Sequence, residues 1–124
     1  MRESRLWSLH LISACALIVL LGLHMMIMHY ESVLRWLGAT GGPALAFASV
    51  VARDRDAVMR ALYALLLGFA LYHGLYGARG ILREVWSSPR AARLIDGASA
   101  VFGVAVFIYG VVVIVWAGRH AGTM

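Results

Sequence analysis

Three long apolar stretches, separated by polar connections, dominate the pattern of the chain. Residues 9–30, 61–78 and 97–116 contain no Asp, Glu, Lys or Arg. Each is close to the roughly 20 residues that an α-helix needs to cross the hydrocarbon core of a membrane. Trp7 and Tyr30 flank the first stretch, where aromatic residues typically mark the membrane interfaces. The pattern therefore predicts three membrane-spanning helices.

The first connection contains signals for a turn and for two helix starts. A Gly-Gly-Pro sequence at 41–43 is a strong turn signal, and the apolar run after it predicts a short interfacial helix over about 44–52. Asp54 and Asp56 suit the positive N-terminal end of a longer helix. This helix is expected to continue through the second span to about Trp86.

The second connection is short and contains Ser88 and Pro89, which suit the cap and the first turn of the third long helix. The expected fold is therefore all-α. The expected organisation is a single membrane domain over residues 1–124, with spans at about 9–30, 57–82 and 95–117.

Composition and charge support a membrane location. Apolar residues make up 62% of the chain and charged residues 14%, whereas an ordinary soluble domain is nearer about half apolar. The net charge of +5 comes from arginines spread over every helix flank, so the charge gives no indication of nucleic-acid binding. Arginines at membrane borders are expected to contact phospholipid headgroups and to set topology.

The arginines also give an orientation. One side would hold Arg2, Arg5, Arg79, Arg83, Arg90 and Arg93, and the other side Arg35, Arg53, Arg55, Arg60 and Arg119. This excess of one favours a cytoplasmic N-terminus and an outer C-terminus in the cytoplasmic (inner) membrane.

A polar stripe lies along the second span. At about 100° per residue, His73, Gly77, Gly80 and Glu84 share one helical face. Imidazole is the usual axial ligand of b-type haem iron, and glycines beside it leave room for a flat macrocycle. The stripe predicts a haem site, while the alternative is a histidine that only bonds a neighbouring helix.

The segment from His73 to Glu84 resembles a family: the small three-helix membrane anchor (cytochrome b) subunits of succinate dehydrogenase and fumarate reductase. Its sequence is His-Gly-Leu-Tyr-Gly-Ala-Arg-Gly-Ile-Leu-Arg-Glu. Those anchors typically show a histidine, a glycine four residues on, often an arginine two beyond, and an acidic residue eleven after the histidine. His73, Gly77, Arg79 and Glu84 occupy those places.

Two positions depart from the family pattern. Many members carry asparagine where this chain has Tyr76, and their acidic residue is more often aspartate followed by tyrosine, where this chain has Glu84 and Val85. The tyrosine that helps to bind quinone in some relatives is therefore absent at that place.

The resemblance implies that the chain is half of a heterodimeric helix bundle around haem b. His73 would be an axial ligand, and a sister anchor subunit would supply the second. An iron-sulfur subunit would dock at the cytoplasmic end near Glu84, where quinone is reduced, and a flavoprotein subunit would oxidise succinate. The chain alone is expected to catalyse nothing, and the direction of the reaction and the type of quinone stay open.

Two arginines follow the stripe. Arg83 lies about 80° from it and Arg79 about 120°, so Arg83 is the more natural partner for a haem propionate. Either side chain could instead extend to a phospholipid headgroup.

The first span adds further candidates. His24 and His29 differ by about 140°, so at most one of them faces a given cofactor. His24 is the candidate ligand of a second haem, since first-span histidines hold the distal haem in the two-haem branch that this pattern resembles; a structural role is the alternative for both. His10 and Ser13 lie within about 40° of the His24 face and, with Glu84, are candidate quinone contacts.

Two other functions remain open. The chain could be a b-type cytochrome subunit of another respiratory complex. It could also be a haem-free membrane assembly or accessory protein, in which His73 and Glu84 bond neighbouring helices.

Overall fold

The computed structural model describes residues 2–37 and 46–120, and nearly all of them are α-helical. The helices are α1 (Arg2–Trp36), α2 (Phe47–Arg55), α3 (Ala57–Val85) and α4 (Pro89–His120). Three of them are long and apolar enough to cross a membrane, over Ser4–Tyr30, Ala57–Val85 and Pro89–Arg119. The prediction of an all-α fold with three such helices is confirmed.

Local signals mark the helix starts. Asp56 caps α3, because its Oδ1 accepts hydrogen bonds from the backbone N–H groups of Val58 at 2.8 Å and Met59 at 2.9 Å. Ser88 precedes Pro89 at the start of α4, and its hydroxyl oxygen accepts from the Ala91 N–H at 3.2 Å. Both groups satisfy backbone donors that the first helical turn leaves unpaired.

The short helix α2 overlaps the segment predicted as interfacial, but it begins at Phe47 and continues to Arg55. Residues 38–45, which include the predicted turn at 41–43, lie outside the described residues. Asp56 ends α2 and caps α3, so the two helices meet at a single residue.

The central helix of the bundle is α3. It contacts α1 on one side and α4 on the other, and α1 and α4 do not contact each other within the described ranges. Cross-contacts show that α1 is antiparallel to α3: the Tyr72 hydroxyl donates to the Leu6 carbonyl at 2.9 Å, while His24 reaches the ring of Tyr63. α2 packs against α3 and α4.

Glycines allow α4 to pack closely on α3. A Cβ at Gly103 would lie 2.7 Å from Cδ1 of Leu75, and a Cβ at Gly110 would meet the side chain of Leu67. A Cβ at Gly68 would lie 3.3 Å from the ring of Phe107. Small residues at such positions are typical of helix pairs in membranes.

The bundle is thin and exposes its apolar side chains. None of the described apolar side chains is buried, and large ones such as Ile18, Leu94 and Val101 are exposed over most of their surface. An apolar surface of this extent has to be covered by lipid or by other helices.

Candidate functional site

His73 lies at the interface between α1 and α3, where its ring stacks on the ring of His10. The two ring centroids are 4.2 Å apart and the ring planes differ by 7°. Tyr76, one turn further along α3, lies against the same His10 ring at 4.8 Å. The sequence assigned His10 to a quinone site and His73 to a haem, whereas the structure places them in one cluster.

Ser13 completes this cluster, which we call the His10–Ser13–His73 cluster. Its hydroxyl donates to the backbone carbonyl of His10 at 2.6 Å and lies 3.3 Å from Nδ1 of His73. Ser13 is 1% exposed, and it is the most deeply buried of the described side chains. A polar group buried to this degree is normally satisfied by hydrogen bonds, as this one is.

The contacts of His73 occupy one face of its ring and one of its two ring nitrogens. His10 covers the face of the imidazole and Ser13 meets Nδ1, while the described residues give Nε2 no hydrogen-bond partner. A metal binds through the in-plane lone pair of a ring nitrogen. Nε2 is therefore the ring nitrogen of His73 that could bind a metal.

His10 has an unsatisfied atom. Its Nδ1 is buried and has no hydrogen-bond partner among the described residues. His10 and His73 cannot bind one iron from opposite sides, because the nitrogens of an axial pair point at each other across the metal and these rings are stacked face to face. His10 and His73 therefore could not be the two ligands of one haem.

The glycines of the stripe have different surroundings. A Cβ at Gly77 would lie 4.0 Å from Cε1 of His10, so Gly77 faces α1. At Gly74 and Gly80 a Cβ would meet no atom within 4 Å. On the stripe, Gly77 therefore faces the His10 ring and Gly80 has open space beside it, while Gly74 is also open but lies about 100° from His73 around the helix.

An ion cluster joins α3 to α4 near the second connection. Nε of Arg79 donates to Oδ1 of Asp96 at 2.7 Å, and Nη2 of Arg83 lies 3.6 Å from Oδ2. The guanidinium of Arg79 also lies 5.5 Å from the ring centroid of Tyr76. Sequence reasoning assigned both arginines to a propionate or a headgroup, but they share a carboxylate of the same chain.

Sequence reasoning missed Asp96 as the partner of these arginines, although a signal was available. Arg79 and Asp96 are equally far from the connection at 87–88, so they come level when α3 and α4 form an antiparallel hairpin. An aspartate at the level of two arginines on a neighbouring helix predicts an ion pair.

A cleft of about 490 Å³ lies between α1 and α4, with α3 as its floor. Tyr76, Arg79, Asp96 and Ser99 form its polar end, and the rest of its lining is largely apolar, including Phe107. This volume is within the range of pockets that hold small molecules.

The remaining candidates lie apart from the cluster. His24 faces α3, with its ring centroid 5.7 Å from that of Tyr63 and the two rings edge to face, and it is about 21 Å along α1 from His10. His29 is exposed, and its Nδ1 donates to the Met25 carbonyl at 3.0 Å. Glu84 is exposed near the end of α3. Within residues 2–37 and 46–120, no hydrogen bond, ion pair or ring contact joins His24, His29 or Glu84 to His73.

The fold and the site define a small helical protein with three helices long enough to cross a membrane and with polar contacts between helices near one end. The described residues contain no group of three or more His, Cys, Asp or Glu side chains that could hold a metal ion. No protein-family model matches the chain, and neither a curated protein nor a solved structure matches it.

Proposed function

We propose that this chain is a membrane anchor subunit of a succinate:quinone oxidoreductase. It holds haem b together with a sister anchor subunit and helps to pass electrons from an iron-sulfur subunit to quinone. The observation that carries the proposal is His73, which begins the family-like segment at 73–84 and whose Nε2 has no hydrogen-bond partner among the described residues.

The arrangement of the His10–Ser13–His73 cluster supports the proposal that this chain supplies one haem ligand, His73. If the haem has two imidazole ligands, the second histidine would come from the sister subunit, because the ring of His10 is stacked on that of His73. When bound, haem b supplies a one-electron couple between the iron-sulfur subunit and quinone. His73 would hold the iron through Nε2, while His10 contacts the face of the imidazole and Ser13 contacts its Nδ1.

The charged residues near the second connection support the proposal that the iron-sulfur subunit docks at this end of the bundle. Arg79 and Arg83 share Asp96, and Arg83, whose Nη2 lies 3.6 Å from the carboxylate, has further N–H groups that could donate to a propionate or to phospholipid. The polar end of the cleft and the exposed Glu84 lie on this side of the bundle, where quinone would bind. Ser13 is buried and its hydroxyl is engaged, so we assign it a role toward His73.

One observation favours a second candidate, the haem-free assembly or accessory protein. The hydrogen bond between Ser13 and His73 crosses from α1 to α3, and such a bond satisfies an intramembrane histidine without any cofactor. In that protein the cluster would only fasten α1 to α3.

Haem counting on the native complex separates the two candidates. The complex is purified with its partner subunits, and haem b is measured as pyridine haemochrome per covalent flavin, beside a reduced-minus-oxidised spectrum. We expect about one haem per flavin if His73 is the only ligand from this chain, and about two if His24 serves a second haem. A haem-free preparation without flavin or iron-sulfur partner would instead support the accessory protein.

Replacing His73 tests the ligand directly. The complex carrying His73→Ala is expected to contain one haem per flavin fewer, because Nε2 of His73 would be the only atom of this chain that binds that iron. The matched control is His29→Ala, since His29 is exposed on α1 and bonds only its own helix. Flavin recovered in the membrane shows that the complex still assembles, and full haem retention in His73→Ala would overturn the assignment.

A further inference from the structure

We infer that Ser13 is a positioning residue that fixes the tautomer of His73 and, through it, lowers the reduction potential of the haem. The inference rests on the proposed function. Ser13 lies on α1 and contacts Nδ1 of His73, the ring nitrogen opposite the one that would bind the iron.

The assignment follows from counting hydrogens. A serine hydroxyl has one proton, and the distance of 2.6 Å to the His10 carbonyl is much shorter than the 3.3 Å to Nδ1 of His73. The carbonyl can only accept, so the Ser13 proton lies on that bond. The lone pairs of Oγ then face Nδ1, which must carry a proton in order to donate.

This arrangement determines the other ring nitrogen. A neutral imidazole with a proton on Nδ1 has its lone pair on Nε2. Nε2 is the edge that the described residues leave without a partner. Ser13 therefore selects the tautomer that can bind iron, before any cofactor is present.

The orientation of Ser13 does not depend on His73. Its hydroxyl is held by the carbonyl of the preceding helical turn, and its side chain is 1% exposed, so solvent does not compete for it. His10, whose carbonyl is the acceptor, also stacks on the His73 ring at 4.2 Å. One turn of α1 thus fixes both the tautomer and the plane of the imidazole.

The effect on the haem follows from donation by Nδ1. An acceptor at the distal N–H of a ligating histidine increases the basicity of the ligand. A more basic imidazole stabilises ferric iron more than ferrous iron, so the potential for the one-electron reduction falls. Without Ser13 the potential should rise and the haem should be held less tightly, by about 10-fold or more.

Three variants of the complete complex test the inference. Ser13→Ala removes the acceptor, and Ser13→Thr keeps a hydroxyl that can make both bonds. Ser8→Ala is the matched control, because Ser8 donates to the Ser4 carbonyl at 3.0 Å in the same way but is exposed on α1. Each variant is measured for haem per flavin, haem midpoint potential and the low-spin electron paramagnetic resonance spectrum.

The expected result is a raised potential and changed g-values in Ser13→Ala, wild-type values in Ser13→Thr and no change in Ser8→Ala. Complete haem loss in Ser13→Ala with wild-type values in Ser13→Thr also supports the inference. An unchanged potential and spectrum in Ser13→Ala overturns it, even if less haem is recovered, since loss alone reports helix packing. Equal defects in Ser13→Ala and Ser13→Thr also overturn it, because the hydroxyl is then not what matters.

The two proposals fail in different ways. A wild-type complex without haem removes the proposed function and the role of Ser13 together. A wild-type complex with haem whose properties are insensitive to Ser13 leaves the anchor function intact and removes only the positioning role.

Discussion

Individual polar side chains join the helices of this protein at a few points. Ser13 meets His73 across α1 and α3, and Tyr72 donates to a backbone carbonyl of α1 at 2.9 Å. Arg79 meets Asp96 across α3 and α4. In surroundings of low polarity an unpaired group of this kind costs about 1–3 kcal/mol, so each pair also specifies how the helices are rotated toward each other.

The two arginines on Asp96 should differ in their contribution to stability. The Arg79 side chain is 16% exposed and 2.7 Å from the carboxylate, whereas Arg83 is 38% exposed and 3.6 Å away. Asp96→Ala leaves the more buried guanidinium without its carboxylate, and we expect it to destabilise the protein by about 1–3 kcal/mol. Arg83→Ala is the matched control and should cost about 0–1 kcal/mol.

Thermal or denaturant unfolding of the detergent-solubilised protein measures both changes. Equal costs for Asp96→Ala and Arg83→Ala would contradict the assignment of the ion cluster to the pair of Arg79 and Asp96.

At this scale the sequence predicts which residues share a helix face but not what they meet. The stripe containing His73 and Gly77 follows from helical periodicity alone. The contact of His73 with His10 depends on how α1 and α3 are rotated and shifted against each other. Two apolar helices give no local signal for that rotation, so the cluster could not be predicted.

Helix boundaries were more predictable because they depend on local chemistry. Asp56 accepts two backbone hydrogen bonds at the start of α3, and Ser88 with Pro89 begins α4 as predicted. The short helix α2 extends to Arg55, beyond the apolar run that predicted it, since Asp56 serves both helices as a boundary. Charged residues that the pattern assigned to a connection are therefore helical.

The packing of α4 on α3 depends on a glycine that has no space for a side chain. We expect Gly103→Leu to weaken the helix pair by about 1–3 kcal/mol, because even a Cβ would lie 2.7 Å from Leu75. Gly97→Leu is the matched control on the same helix, where a Cβ meets no atom within 4 Å. Both replacements improve helix propensity equally, so the difference between their free energies of unfolding reports the packing of α4 on α3.

Unfolding of the two glycine variants in the same detergent gives the difference directly. If Gly103→Leu is as stable as Gly97→Leu, α4 does not lie against α3 at this position.

In the whole molecule the three long helices form a single layer in which few side chains are buried. α3 contacts α1 and α4, the described apolar side chains are all at least partly exposed, and a cleft of about 490 Å³ remains between the outer helices. A composition of 62% apolar residues predicts this surface, because lipid accepts side chains that water would drive inside.

The orientation of the molecule gives a last prediction. Ala48 on α2 and Ser87 in the second connection are both exposed, and the whole of α3 lies between them. If α3 crosses the membrane, the two positions are on opposite sides, and the arginine distribution predicts that Ser87 lies in the cytoplasm. The test begins from Cys15→Ser, which removes the only cysteine of the chain, and adds Ala48→Cys or Ser87→Cys. A membrane-impermeant thiol reagent, applied to cells whose outer envelope is permeabilised but whose cytoplasmic membrane is intact, should label Ala48→Cys. It should label Ser87→Cys only after the cytoplasmic membrane is opened.

Labelling of both positions from one side would contradict the crossing of α3. The reverse pattern would keep the three spans and place the N-terminus outside. The reverse pattern would also move the arginine end, where we place the docking of the iron-sulfur subunit, to the wrong side of the membrane.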